Sequence, residues 1–255
     1  MTEDDEAPHD EGRRPFNPRM HQGGKLAFRQ RVNPTEVDPG SFIVHGGANP
    51  PHLRDLVPAG VRDVEIEIGS GKGAFLVAAT EAKPHTFLLG IEAAPAYAEF
   101  AADRLRKTGR TNGLLLVDNG KLFLEDRVEA GDLAALHVYF PDPWPKRRHK
   151  GRRFFTDDVP AKVARVLRDG GFLYVATDNA AYAGQVCRVV GNAPWFERDE
   201  AEEHRIHQLG PGHAFGPTNF ERKYIEEGRV IRHYAFRKVA SPATAGAATA
   251  GTVTA

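Results

Sequence analysis

Five short apolar runs of strand length recur through the middle of this chain, and stretches of helical character separate them. That alternation limits the fold more than any other feature. The runs cover 63–68 (Asp-Val-Glu-Ile-Glu-Ile), 86–91, 113–118, 134–140 and 171–177. Helical patterns fill 74–83, 94–107, 156–167 and 179–190. In the third of these, Thr156 is placed to cap the start and Asp169-Gly170-Gly171 to stop the end. Strand–helix alternation of this kind predicts an α/β fold, a mostly parallel twisted sheet with helices on both faces. Residues 230–236 alternate again and predict a late antiparallel strand. Between 204 and 228 the sequence reads as irregular, and an irregular stretch of that length in a compact domain usually carries function.

Composition sets the outer limits. Hydrophobic content of 41% across 255 residues suits one large globular domain with tails. Apolar runs are too short for a transmembrane helix, and an acidic, polar start is unlike a secretory signal, so a cytoplasmic protein without a membrane is expected. The single cysteine, Cys187, excludes an internal disulfide, and no metal site is expected. Residues 1–24 read as a disordered acidic tail, 25–49 as an N-terminal extension, 50–239 as the main domain and 240–255 as a second disordered tail. Net charge is zero, which on its face argues against a nucleic-acid partner. Six of the acids, however, lie within residues 1–11, and the rest of the chain holds 34 Lys and Arg against 28 acids. Local clustering therefore decides the question.

The first strand runs into Glu67-Ile68-Gly69-Ser70-Gly71-Lys72-Gly73. Glycines there permit a tight turn and close approach of backbone to a ligand, with Gly69, Gly71 and Gly73 as the candidate binding positions. The spacing does not match a P-loop. Glu92 ends the second strand 23 residues after Gly69, where an acid can accept both ribose hydroxyls of NAD or of S-adenosylmethionine. Glu67 separates the two ligands. A carboxylate at the loop repels a pyrophosphate and attracts the ammonium and sulfonium of S-adenosylmethionine, so the latter is favoured. Asp118, followed by Asn119, ends the third strand and is placed to accept from an adenine amino group. Three acids at the carboxyl ends of successive strands converge where such folds bind ligands.

Residues 140–153 read Phe-Pro-Asp-Pro-Trp-Pro-Lys-Arg-Arg-His-Lys-Gly-Arg-Arg and follow the fourth strand. Pro141, Pro143 and Pro145 stiffen the backbone around Asp142, which suits a positioned catalytic group. Lys146, Arg147, Arg148, His149, Lys150, Arg152 and Arg153 form a dense basic run suited to phosphates. Trp144 suits either stacking on a base or packing in the core. Thr177-Asp178-Asn179 closes the fifth strand, and Thr218-Asn219-Phe220-Glu221 lies in the late irregular segment. Thr218 and Glu221 offer acceptors matched to the amino and imino hydrogens of guanine.

These segments, in this order, resemble the bacterial tRNA (guanine-N(7)-)-methyltransferase family across about residues 50–239. The resemblance implies a Rossmann-like class I methyltransferase that uses S-adenosylmethionine to modify the variable-loop guanosine of tRNA. By the same likeness, Glu67, Glu92, Asp118 and Asp142 would contact the methyl donor, with Asn119 beside them. Asp142 would also be catalytic. Lys146, Asp178, Thr218, Asn219, Phe220 and Glu221 would bind substrate, and the basic run would meet RNA. Two positions depart from the family pattern: Asn119 stands where a small residue is commoner, and Gly151 interrupts the basic run. Other readings are an NAD-dependent oxidoreductase, which leaves the basic run unexplained, a non-catalytic RNA-binding module, and a methyltransferase acting on another RNA. Monomer and homodimer stay open.

Overall fold

The computed structural model describes residues 42–208 and 218–239, all within the compact unit that begins at Val37. The expected tails, 1–24 and 240–255, and most of the extension lie outside the described residues.

Eight strands form one sheet. In chain order they are β1 (Ile43–His45), β2 (Asp63–Ile68), β3 (Thr86–Glu92), β4 (Gly113–Val117), β5 (Leu133–Tyr139), β6 (Leu167–Thr177), β7 (Phe196–Arg198) and β8 (Arg232–Lys238). Across the sheet the order is β1-β4-β3-β2-β5-β6-β8-β7. The first six strands pair in parallel, while β8 runs antiparallel to both β6 and β7. The parallel sheet and the late antiparallel strand are as the sequence predicts. Strand order reverses between β2 and β5, and in open α/β sheets ligands bind at the carboxyl ends beside such a reversal.

Both faces of the sheet are covered, so the central strands read as continuous apolar runs. In β3, Phe87, Leu89 and Ile91 enter one core cluster and Leu88 enters the other. The second cluster is closed by α2 (Ala74–Ala82) and α3 (Pro95–Arg106), through Phe75, Leu76, Ala101 and Leu105. Fully burying a side chain such as Phe75 is worth about 1.5–3 kcal/mol. The other cluster draws on α4 (Gly120–Asp126), α5 (Val159–Val166) and α6 (Ala180–Val189). A short helix, α1 (Leu53–Leu56), buries Leu53 in the same cluster.

Several boundaries differ from expectation. Helix α5 starts at Val159, not Thr156. The Val159 amide donates to the Thr156 carbonyl at 3.0 Å, closing a turn first, and Pro160 sits where helices tolerate proline. Gly170-Gly171 does not end a helix. Strand β6 begins at Leu167 and carries the pair through an irregularity in its pairing with β5, where Gly170 has φ +74°. Residues 43–45, expected in the extension, add β1 to the sheet edge. The stretch read as irregular, 204–228, takes in the second half of α7 (Glu200–Gln208) and all of α8 (Asn219–Glu226). Helices α1, α4, α7 and α8 and strands β1 and β7 had no sequence counterpart; α1, β1 and β7 span only three or four residues, too few to show a period.

Candidate active site

The glycine loop leaves β2 and enters α2 through three left-handed glycines, Gly69, Gly71 and Gly73. Gly73 is doubly required. Its φ is +68°, and a Cβ there would lie 2.7 Å from that of Ala101, so its absence lets α2 and α3 close together. Glu92, at the end of β3, ties the loop down: its two carboxylate oxygens accept from the amides of Gly71 (2.9 Å) and Ala94 (2.8 Å). Each oxygen keeps a further lone pair for a ribose hydroxyl.

Glu67 is different. It is 3% exposed, and its Oε2 is buried with no hydrogen-bond partner. Burial pushes its carboxyl up to about 8, helped by the Glu92 charge and opposed by a hydrogen bond from Ser70. A buried acceptor without a donor is costly, and such a group calls for a partner from outside the chain, whether water, ion or ligand. Asp118, after β4, has the same signature. Its Oδ1 accepts from the Asn119 amide at 2.7 Å, while its Oδ2 is buried without a partner. A Cβ on Gly46 would lie 3.0 Å from that Oδ2, so the turn after β1 forms a wall beside it. Asn119, expected beside the donor, also caps α4 by accepting from the amides of Lys121 and Leu122. Two unsatisfied acceptors and one partly used acid around a glycine loop fit S-adenosylmethionine, which brings an ammonium, a sulfonium and an adenine amino group.

The loop after β5 carries Asp142. Phe140 (φ +50°) and Trp144 (φ +40°) bracket it, and no other non-glycine described residue has a positive φ. Each such residue costs on the order of 1–3 kcal/mol and persists only where its surroundings hold it. Asp142 is exposed at the rim and makes no hydrogen bond or ion pair among the described residues, while desolvation raises its carboxyl above the ordinary value. The basic run forms a 3-10 turn over Arg147–Arg152. Lys146, Arg148 and Arg152 are exposed, and Arg152 stacks over the Trp144 ring at 5.1 Å, with His149 edge-on at 5.5 Å. Trp144 is thus half-buried under its own basic loop. Desolvation and the neighbouring Arg152, Arg148 and Lys146 push the His149 imidazole down, so it adds little positive charge near neutrality.

Helix α8 brings the late motif to the same edge. Thr218 caps it, accepting from the Glu221 amide at 3.0 Å. Glu221 pairs with His233 of β8 at 2.9 Å. Asp178, after β6, pairs with Arg229 at 2.8 Å, and Arg229 also holds Glu227 and stacks on Tyr224. Tyr224 in turn meets Phe140 edge-on at 5.5 Å, which joins α8 to the Asp142 loop. Sequence reasoning missed Arg229, Tyr224 and His233, whose pairing exists only in three dimensions. The side chains of Arg147, Lys150, Asn219 and Phe220 lie outside the described set. A cavity of about 560 Å³, lined by Arg62, Asp63, His85 and Asn112 among others, opens at the starts of β2 and β3 and takes no part in this site. Among the described residues no helix is long and apolar enough to cross a membrane, and no His, Cys, Asp or Glu group could hold a metal.

Unsatisfied carboxylates at a glycine loop select a cationic ligand over a pyrophosphate. That selection places the molecule with the Rossmann-like methyltransferases rather than with dinucleotide-binding enzymes of similar topology. Consistent with this, a family model described as "Putative methyltransferase" matches residues 62–234. The tRNA (guanine-N(7)-)-methyltransferase of Rhodopirellula baltica is 33% identical over 193 residues, covering 69% of this chain and 66% of that protein. Its namesake in Nocardia farcinica is 36% identical over 180 residues, covering 68% and 66%. That of Rhizobium johnstonii is 31% identical over 203 residues, covering 78% and 84%. The chain therefore spans just under two thirds of the first two relatives. It belongs to the tRNA (guanine-N(7)-)-methyltransferase family.

Proposed function

We propose that this protein is a cytoplasmic enzyme that methylates nitrogen 7 of the variable-loop guanosine of tRNA, with S-adenosylmethionine as donor. One observation carries the reading: the buried, unpartnered Oε2 of Glu67 beside the glycine loop, on the same sheet edge as Asp142 and its basic turn. Family membership supports it, and the single, free cysteine suits a reducing compartment.

When bound, S-adenosylmethionine supplies an electrophilic methyl group. Glu67 would hold its ammonium, Glu92 its ribose hydroxyls and Asp118 its adenine amino group. The target nitrogen carries a lone pair and no proton, so no strong general base is required. The protein's work is placement and charge. Asp142, on its stiff loop, would offset the positive charge that grows on the guanine ring. Asp178 and Glu221 would accept from the base's imino and amino hydrogens, exchanging Arg229 and His233 for substrate. Lys146, Arg148 and Arg152 would meet phosphates.

Incubation with labelled donor and bulk tRNA, followed by digestion and mass identification of the modified nucleoside, tests the reading. Label recovered in 7-methylguanosine from the variable loop supports it. Label in another nucleoside, or tighter binding of NADH than of S-adenosylhomocysteine, overturns it.

A further inference from the structure

Arg153 closes the basic run, but its side chain turns inward. It is half-buried, and its Nε and Nη2 both donate to the Trp144 carbonyl, at 3.3 and 3.0 Å. Its Nη1 donates to Oε1 of Gln185 on α6. Gln185 in turn donates from Nε2 to the Phe155 carbonyl at 2.6 Å. The Phe155 amide donates to the hydroxyl of Tyr182, also on α6 and 2% exposed, and the Arg153 guanidinium lies 5.8 Å from that ring. The guanidinium is therefore tied to a core helix on one side and to the loop on the other.

The carbonyl it grips belongs to one of the two left-handed non-glycine residues that bracket Asp142. Such a conformation needs an external hold. A planar fork donating twice to one carbonyl supplies it, and a lysine point charge does not.

We propose that Arg153 is a positioning residue for Asp142 rather than a phosphate contact. Anchored to α6 through Gln185, it keeps Trp144 in its strained conformation and so fixes where the Asp142 carboxylate stands. The adjacent Arg152, exposed over the Trp144 ring, is left to face RNA. The catalytic consequence rests on the methyl-transfer reading above, whereas the loop-ordering consequence does not.

The test compares full-length wild type with Arg153→Ala, Arg153→Lys and Gln185→Met. Hydrogen exchange over residues 140–152 reads loop order without any activity. Methyl transfer to tRNA reads kcat, and a salt series reads tRNA binding. Faster loop exchange in both Arg153 variants is expected, with kcat lower by about tenfold to a hundredfold, the size of effect a small misplacement produces. The salt slope of tRNA binding should stay unchanged, and Arg153→Lys should not rescue kcat. Gln185→Met should shift exchange and kcat in the same direction, and it decides the matter if Arg153→Ala does not fold. Normal loop exchange in these variants overturns the inference. So does a salt slope shortened by about one with kcat intact, or full rescue by lysine, since either marks a phosphate contact. A wild type that makes no methylated guanosine would sink the proposed function, and loop exchange would still judge the role of Arg153.

Discussion

Glu67 and Asp142 are both acids at strand ends, yet their surroundings set them different tasks. Glu67 is sealed in, and its carboxyl stays protonated in the empty site up to about pH 8. A cation binds the carboxylate form better, so binding must expel that proton. Affinity for S-adenosylhomocysteine, which keeps the ammonium, should rise with pH towards about 8 and then level off. Calorimetry in two buffers of different ionisation enthalpy should detect proton release, and Glu67→Gln should abolish both effects. A flat profile in the wild type would remove Glu67 from the donor site. Asp142 sits in the open, so Asp142→Ala should cost little stability. It should lower kcat by about a hundredfold or more, as loss of a charge-stabilising group does, with a smaller change in donor affinity. Near-normal turnover would refute its assignment. The type of each residue was legible in the sequence. The unpartnered state of Glu67 was not, since it depends on what α2 and β5 pack above it.

At the scale of elements, β2 alternates acids with apolar residues, Asp-Val-Glu-Ile-Glu-Ile. In the structure its acids are buried, and Glu65 is satisfied where Glu67 is not. Lys83 at the end of α2 grips Glu65 at 2.7 Å, and His137 of β5 reaches it at 2.9 Å. The His137 Nδ1 meets the Tyr139 hydroxyl at 2.9 Å. Burial would raise the Glu65 carboxyl, but the His137 hydrogen bond and charge, with Lys83, bring it down to about 2. Burial pushes the His137 imidazole down, while the hydrogen bond and charge of Glu65 oppose that shift. Because the folded value lies below the unfolded one, this group stabilises the fold above about pH 4.5, and that contribution is lost as pH falls towards 2. Glu65→Gln should destabilise by roughly 3–5 kcal/mol at pH 7 in urea titration, with the difference shrinking in acid. A neutral result would mean that water, not Glu65, satisfies Lys83 and His137. Helix α4 offers a cleaner separation. Asn119→Ala should cost about 1 kcal/mol of stability, as removal of a cap does, and Asn119→Asp should keep it. If donor affinity collapses in Asn119→Ala while stability holds, the residue belongs to the cofactor instead.

Over the whole molecule, zero net charge hides an uneven distribution along the chain, with six acids in residues 1–11 and a basic run at 146–153. Reversing Arg147, Arg148 and Arg152 to Glu should weaken tRNA binding and shorten its salt slope by about one for each phosphate that is no longer neutralised. An unchanged slope would place the RNA surface elsewhere. The strand–helix period predicted the parallel sheet, and the order of motifs along the chain predicted which acids end which strands. Both are local properties, written in spacing and residue type, and they survive without knowledge of any partner. Pairing is not local. Glu65 and Glu67 stand two residues apart on one strand, and only packing from β5 and α2 neutralises one and strands the other. Arg152 and Arg153 are neighbours in one basic run, and only the position of α6 turns the second inward. Period and spacing follow from the geometry of a single backbone segment, whereas a side chain's partner depends on segments brought together from far along the chain.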